Sequence, residues 1–574
     1  MTSEPPFILP KRKPSIFWWL GGAFIILLFI FLLQLFGPSP RIYVSPQTTY
    51  ITGPIGADGL PDYEQHLLSM YSDGVTPADN AATLIWPALW PGELSPGDYG
   101  VVAAELGLDH IPSKSDALVP IYQRVAALMK EKEAAADGEP TSIDSNIDLE
   151  TDQLLNFVMQ QPWMTEQLPA LGKWARDNQK PLDQLIAGSR RPRCYFPSPS
   201  LLDKKRESLI MMLLPGAQGV REAGRSLRAR AMWHLGEQRP MEAWQDLLAA
   251  HRIGRLTAQG LTMVEQLVGM AISHMASEGT VTLLHDGNLS AEQSRQIMSD
   301  LASLENFSGM ADSIDTMERA SFLDATILTS QGKLSEQELG PGSSGGVESM
   351  KYVAIDWNIV LKKGNKYYDR YAAAARLPTF TAREQAMAQV HNDLNRLSRN
   401  FDARSAVAAV LSPAARSEAA ATIMIQLLFP AMDAALTAQD RANTRIELTR
   451  LAAALAVYRA EQGQYPAKLD DLVPSVLDKL PVDLYNAKPF VYKRIDPGYL
   501  LYSIGENGQD DGGSNQQQGT FEGLPVNDDN SGAASQPSAA QIPSDADDIT
   551  IRVPAPPLLH PGVGSLQLTP NPVK

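Results

Sequence analysis

Residues 16–36 form an uninterrupted apolar run with no charged side chain, and Gln34 is its one strongly polar residue. As an α-helix the run is roughly 31 Å long, about the depth of a bilayer's hydrocarbon core. Trp18 and Trp19 lie near one end, where amphipathic rings favour a membrane–water interface. Lys11, Arg12 and Lys13 precede the run, and only Arg41 follows it closely. The positive-inside rule then keeps the N-terminus in the cytoplasm and exports the rest. The stretch from Leu35 to Pro40 lacks a small-x-small processing pattern, and the run exceeds an ordinary signal-peptide core. The expectation is an uncleaved, single-pass signal anchor with the lipid bilayer as its partner. A cleaved signal peptide and a helix buried in a soluble protein are the alternatives.

The remainder is long enough for several domains, since the chain has 574 residues. Acidic residues outnumber basic ones, 65 to 49, for a formal charge of −16. That balance argues against nucleic acid as a partner, because neutralising phosphates takes a basic surface. The single cysteine, Cys194, rules out an intrachain disulfide and a thiolate-rich metal site. Arg190, Arg191 and Arg193 sit beside it. They suit either a thiol of lowered pKa, an anion contact or a solvated loop. None of the eight histidines falls in a short metal-ligand spacing, and no phosphate loop is present. No catalytic residue is therefore assigned.

Periodicity divides the chain as follows. Residues 1–15 are a cytoplasmic tail and 16–36 the anchor. Residues 37–115 are a Pro/Gly-rich irregular region with short helices, one near Tyr63–Tyr71. Residues 116–414 read as an all-helical domain. Apolar residues recur at helical spacing at Ile121, Val125 and Leu128, at Leu227, Ala231 and Leu235, at Ala243, Leu247 and Ala250, and at Met263, Leu267 and Met270. The Gly340–Gly346 segment, which also satisfies two loose motifs, reads as a flexible loop. The apolar stretch Ala420–Ala435 is broken at Pro430 and is too short for a confident second span.

From 415 to 511 the pattern changes to one long helix and a small antiparallel sheet. Leu448, Leu451, Leu455 and Tyr458 make one apolar face; Gly463 and Pro466 end the helix. Phe490–Arg494 and Tyr499–Ser503 read as strands joined through Asp496-Pro497-Gly498, with Gly498 expected at positive φ. Residues 512–544 are polar, rich in Ser, Gln and Gly, and read as a disordered insertion. Residues 545–574 hold a final strand, Ile549–Val553, and a Pro-rich tail.

The C-terminal pieces resemble type II secretion major pseudopilins. The matching residues are Leu455, Tyr458, Gly463, Tyr465 and Pro466, then Leu469, Leu472, Val473 and Pro474. Leu480-Pro481-Val482-Asp483, Lys488-Pro489-Phe490 and Tyr502-Ser503-Ile504-Gly505 follow, with Asn507-Gly508 and Asp547-Asp548-Ile549. The resemblance covers about 440–553. It departs from the family in its anchor, which lies some 400 residues upstream, and in Asp483-Leu484 where the family has Asp-Pro. It implies a pseudopilin-like α+β module borrowed by another anchored protein, rather than a polymerising fibre subunit. It further implies calcium as cofactor, with Asn507, Asp510, Asp511, Asp545, Asp547 and Asp548 as ligands. The alternative is a solvated acidic loop.

Together these readings predict a mainly α chain with an N-terminal transmembrane helix, an irregular all-helical exported domain and the small C-terminal module. The expected location is the bacterial inner membrane, with the bulk in the periplasm or exterior. The expected role is a noncatalytic scaffold among envelope or secretion-apparatus proteins. An exported hydrolase and a helical-repeat peptide-binding module are the competing functions.

Overall fold

A computed structural model describes residues 16–90, 96–109, 113–135, 144–197, 209, 215–334, 350–399, 403–428, 431–515 and 546–555. Asp545, the Gly340–Gly346 loop, Pro430, the insertion from 516 onward and the tail after 555 lie outside the described residues.

Local signals place the helix ends. Thr262 starts Met263–Asp286 and Ser290 starts Ala291–Ala302, each in a reciprocal capping box, with Glu265 and Gln293 respectively. Pro240 occupies the first turn of Pro240–Thr257, where its missing N–H costs nothing. Gly463, at φ +77°, ends the 32-residue helix Ala431–Gln462. Among the described residues the chain is mainly helical with one three-stranded sheet.

The apolar stripes bury into two cores. The first joins Ile121, Val125, Leu227, Ala231, Leu247, Ile253, Ile272 and Leu283 to Leu448, Leu451 and Leu455. The second gathers Met310, Phe322, Leu323, Trp357, Leu361, Tyr368 and Tyr371 with Ala421, Met424, Ile425 and Met432. The apolar stretch around Ala420–Ala435 is therefore core material: its face meets other helices. Both cores run across the 414/415 boundary that composition suggests. Met263–Asp286 and Ala431–Gln462 each contribute to both.

Pro215–Gly236, Pro240–Thr257 and Met263–Asp286 pack on one another, and Ala431–Gln462 lies along the third. The second and third cross at backbone contact. A Cβ on Gly254 would stand 2.5 Å from the Gly269 carbonyl oxygen, and one on Gly269 would stand 2.2 Å from that of Gly254. Two small residues make this crossing distance attainable.

The sheet has the order β1 (Val491–Ile495), β2 (Gly498–Ser503), β3 (Ile549–Val553), antiparallel throughout. Side chains alternate across a strand. Tyr499 and Leu501 of β2, with Ile551 and Val553 of β3, join the first core against the long helix. Leu500 and Tyr502 point the other way, and the segment 510–513 covers them. The turn differs from expectation. Gly498 is not at positive φ. It is required because a Cβ there would fall 1.8 Å from the Val553 carbonyl oxygen.

The apolar run is the helix Ile16–Phe36, and none of its Trp18–Phe36 segment is buried. A core helix of this chain would be covered by other elements, and among the described residues this one is not. Its far end is docked: the Ala354 N–H donates to the Leu35 carbonyl at 2.8 Å, and Gln34 Nε2 donates to the Leu411 carbonyl at 2.9 Å. The one polar side chain of the run thus has its partner.

Candidate metal centre

The acidic loop folds over the outward face of the sheet, and its placement begins with Asp483. This side chain is 1% exposed. Its Oδ1 accepts from Ser503 Oγ at 2.9 Å and its Oδ2 from the Ile504 N–H at 3.2 Å. The end of β2 is thereby tied down, and the chain turns into 505–515. On the far side, Asp547 pairs with Asn515 just before β3.

Three of the six expected ligands come together. Asp511, Asp547 and Asp548 each place one carboxylate oxygen within 4.8 Å of the others. Asp547 Oδ2 accepts from the N–H groups of Glu506 and Asn507 at 2.9 and 3.1 Å. Asp548 Oδ2 accepts from the Gly513 N–H at 2.8 Å. The Oδ1 atoms of Asp547 and Asp548 are buried and lack a hydrogen-bond partner. Asp548 as a whole is 0% exposed.

Two others act as struts. Asp510 accepts from the Tyr502 hydroxyl at 2.7 Å and from the Gly512 N–H at 3.0 Å, and these bonds hold its pKa below the usual carboxylate range. Asn507 donates to Asp511 Oδ2 at 3.1 Å and accepts from the Gln509 N–H at 2.7 Å. Asp545 is outside the described residues. Neither Asp483 nor Tyr502 follows from ligand spacing. Their signal is the register, which aims Tyr502 at the loop.

The electrostatics fit a cation. Burial raises the pKa of Asp547, against the pull of the Asn507 and Glu506 amides. Burial, with the charges of Asp511 and Asp510 adding to it, pushes Asp548 up to about 6. A buried oxygen without a donor and a like-charge cluster both favour a positive ion. Calcium takes six to eight oxygens from carboxylates, carbonyls and water. Asp511, Asp547 and Asp548 would supply part of that shell.

Cys194, His251 and His391 are each engaged with the surrounding fold. Cys194 is buried, and burial drives its pKa far up, the opposite of an activated thiolate. His251 is buried, with Ser273 and Thr280 hydroxyls 3.3 Å from its two ring nitrogens. Tyr371, Asp433 and His391 form a chain missed by spacing, with His391 Nε2 2.7 Å from Asp433 and the Tyr371 hydroxyl donating to the same carboxylate.

No family model matches the chain, and no curated protein or solved structure matches it significantly.

Proposed function

We propose that this chain is a noncatalytic scaffold of the bacterial envelope. Ile16–Phe36 anchors it in the inner membrane, its N-terminus cytoplasmic and its helical body periplasmic. The observation that carries this reading is the apolar helix itself: Trp18–Phe36 stands outside both cores with none of it buried. Trp18 and Trp19 are 79% and 73% exposed, a cost in water and a gain in lipid. A second exposed apolar strip supports it. Val407, Val410 and Leu411 lie on the helix Ala403–Leu411, beside the end of the anchor. That strip suits the headgroup boundary.

In this reading the C-terminal α+β module is pseudopilin-like. Calcium stiffens its acidic loop, and the module contacts a secretion or pilus-like apparatus. Calcium here is structural: the ion would clamp 505–515 to the start of β3.

The test is a reporter active only outside the cytoplasm, fused after residue 40. Activity is expected with the native sequence. An inactive but stable fusion would overturn the topology. Crosslinking in native membranes should recover pseudopilins or secretion-platform subunits. Recovery of the chain alone would remove the apparatus from the proposal.

A further inference from the structure

A cavity of about 1000 Å³ lies away from the acidic loop, on different elements. It opens where the end of Gln179–Ser189, the end of Pro240–Thr257 and the loop after Ala291–Ala302 meet. Five arginines line it: Arg190, Arg191, Arg193, Arg252 and Arg255. Glu305 and Asp312 are the only carboxylates among the lining residues. In a chain of net charge −16 this runs against composition.

The five arginines differ in what they already hold. Arg191 is committed to the fold: its Nη1 donates to the carbonyls of Pro77 and Asn80 at 2.7 and 2.8 Å. Arg193 reaches the Asp73 carbonyl at 3.3 Å. Arg255 is half committed. Its Nε donates to the Glu305 carbonyl at 2.7 Å and its Nη1 to the His251 carbonyl at 2.9 Å. Its Nη2 is buried and has no partner. Among the described residues, none bonds or pairs with the guanidinium of Arg190 or Arg252. Asp312 does not neutralise them, because Arg376 holds it at 2.7 Å.

The nearby carboxylates Glu305 and Asp300 offset this positive charge only in part. Burial and the neighbouring Arg450 lower Arg255 to about 10 against the pull of Glu305, and burial and Arg190 lower Arg252 against the pull of Asp300. Guanidinium groups bind phosphate and carboxylate oxygens through parallel N–H bonds, so several converging forks suit a multiply charged oxyanion. Leu256, Leu261 and Phe307 line the same cavity. They offer an apolar wall beside the charged end.

We propose that this cavity binds a phosphate-bearing organic anion, its phosphate held by Arg190 and Arg252, with the charge of the more deeply set Arg255 behind them. The inference is independent of the membrane and calcium readings. The anion is either a soluble metabolite or a lipid headgroup, and both present the same chemistry to the arginines.

The test uses the full chain in detergent, titrated calorimetrically with pyrophosphate, and in parallel with vesicles containing phosphatidic acid. Saturable binding that weakens with salt is expected in at least one arm. Pyrophosphate binding marks a soluble ligand; without it, binding to phosphatidic acid vesicles beyond that to phosphatidylcholine vesicles, which the apolar helix alone would enter, marks a headgroup. Arg190→Gln and Arg252→Gln should each weaken binding about tenfold. Arg190 is exposed, so its variant folds whatever happens at Arg252. Arg396→Gln, on the exposed face of Phe380–Arg399, should bind like the native chain. Absence of binding in both arms, or binding indifferent to Arg190→Gln and Arg252→Gln, would overturn the site.

Discussion

Arg230 and Asp246 form an ion pair inside the first core, linking Pro215–Gly236 to Pro240–Thr257. Arg230 Nη2 lies 2.5 Å from Asp246 Oδ1, and Nε donates to Oδ2 at 2.9 Å. The two side chains are 4% and 1% exposed. Arg230 Nη1 also reaches Asp183 at 3.0 Å, so one guanidinium joins three helices. Buried pairs are expensive to assemble but more expensive to halve, because removing one member strands the other charge.

Asp246→Ala should therefore destabilise the chain by about 3–5 kcal/mol. Denaturant unfolding followed by circular dichroism measures it. A loss under 1 kcal/mol would mean that water or Asp183 alone satisfies Arg230.

The Gly254–Gly269 crossing makes a steric prediction. Gly269→Ala places a methyl on a carbonyl oxygen, and rigid backbone must move. The expected loss is about 1–3 kcal/mol, typical of overpacking. An unchanged melting temperature would show that these helices separate freely.

The acidic loop separates two classes of aspartate. Calcium should raise the melting temperature of the native chain, because an ion at 100 times its Kd adds about 2.7 kcal/mol to the folded state. Asp548→Asn should abolish the rise, and Asp510→Asn should leave it, since Asp510 bonds Tyr502 instead of facing the cluster. In chelator, Asp548→Asn should be the more stable protein. The carboxyl titrates near 6 when folded, so its ionised form at pH 7 opposes folding. Equal loss in both variants would place the ion elsewhere.

Acid should destabilise the helical body. Burial, reinforced by Arg239 and Arg230, lowers His234 to about 3. Burial outweighs Glu278 and lowers His274 to about 4. The unfolded chain binds a proton at each imidazole below about 6.5, and the folded chain refuses it until those lower values. Their neutral-state stability is complete above about 6.5 and is lost as pH falls toward 4, by about 1.4 kcal/mol per pH unit for each group. Glu318, raised to about 7, and Asp548, raised to about 6, gain stability on protonation over the same range, so the readout is the difference between variants: in melts between pH 7 and 4, His274→Gln should lose stability less steeply than the native chain. Parallel profiles for the native chain and His274→Gln would mean that water reaches the His274 ring.

Particular residues show how far the sequence alone reached. The run 16–36, the capping residues Thr262 and Ser290, the stop at Gly463 and the strands around 491–503 and 549–553 are local facts. Each depends on propensity, period or backbone conformation within a few residues, so one-dimensional reading suffices. The acidic residues of the C-terminal loop were also legible as a group. Their division was not: whether Asp510 or Asp548 faces the cluster depends on which side of β2 Tyr502 leaves, and on the register of β3 against it. Gly498 shows the same limit, since its contact is a carbonyl more than fifty residues away.

Tertiary structure alone decided how the segments share their interiors and where charge collects. The helix Ala431–Gln462 presents Leu448, Leu451 and Leu455 to one core and Met432, Ala435 and Ala442 to another, so a composition boundary at 414/415 coincides with neither. Arg190 and Arg255 are 65 positions apart and meet because two helix ends converge. Local patterning sets which face of a helix is apolar. Which neighbour covers that face, and which unpaired guanidinium groups meet beside it, follow from long-range packing that no short window of sequence contains.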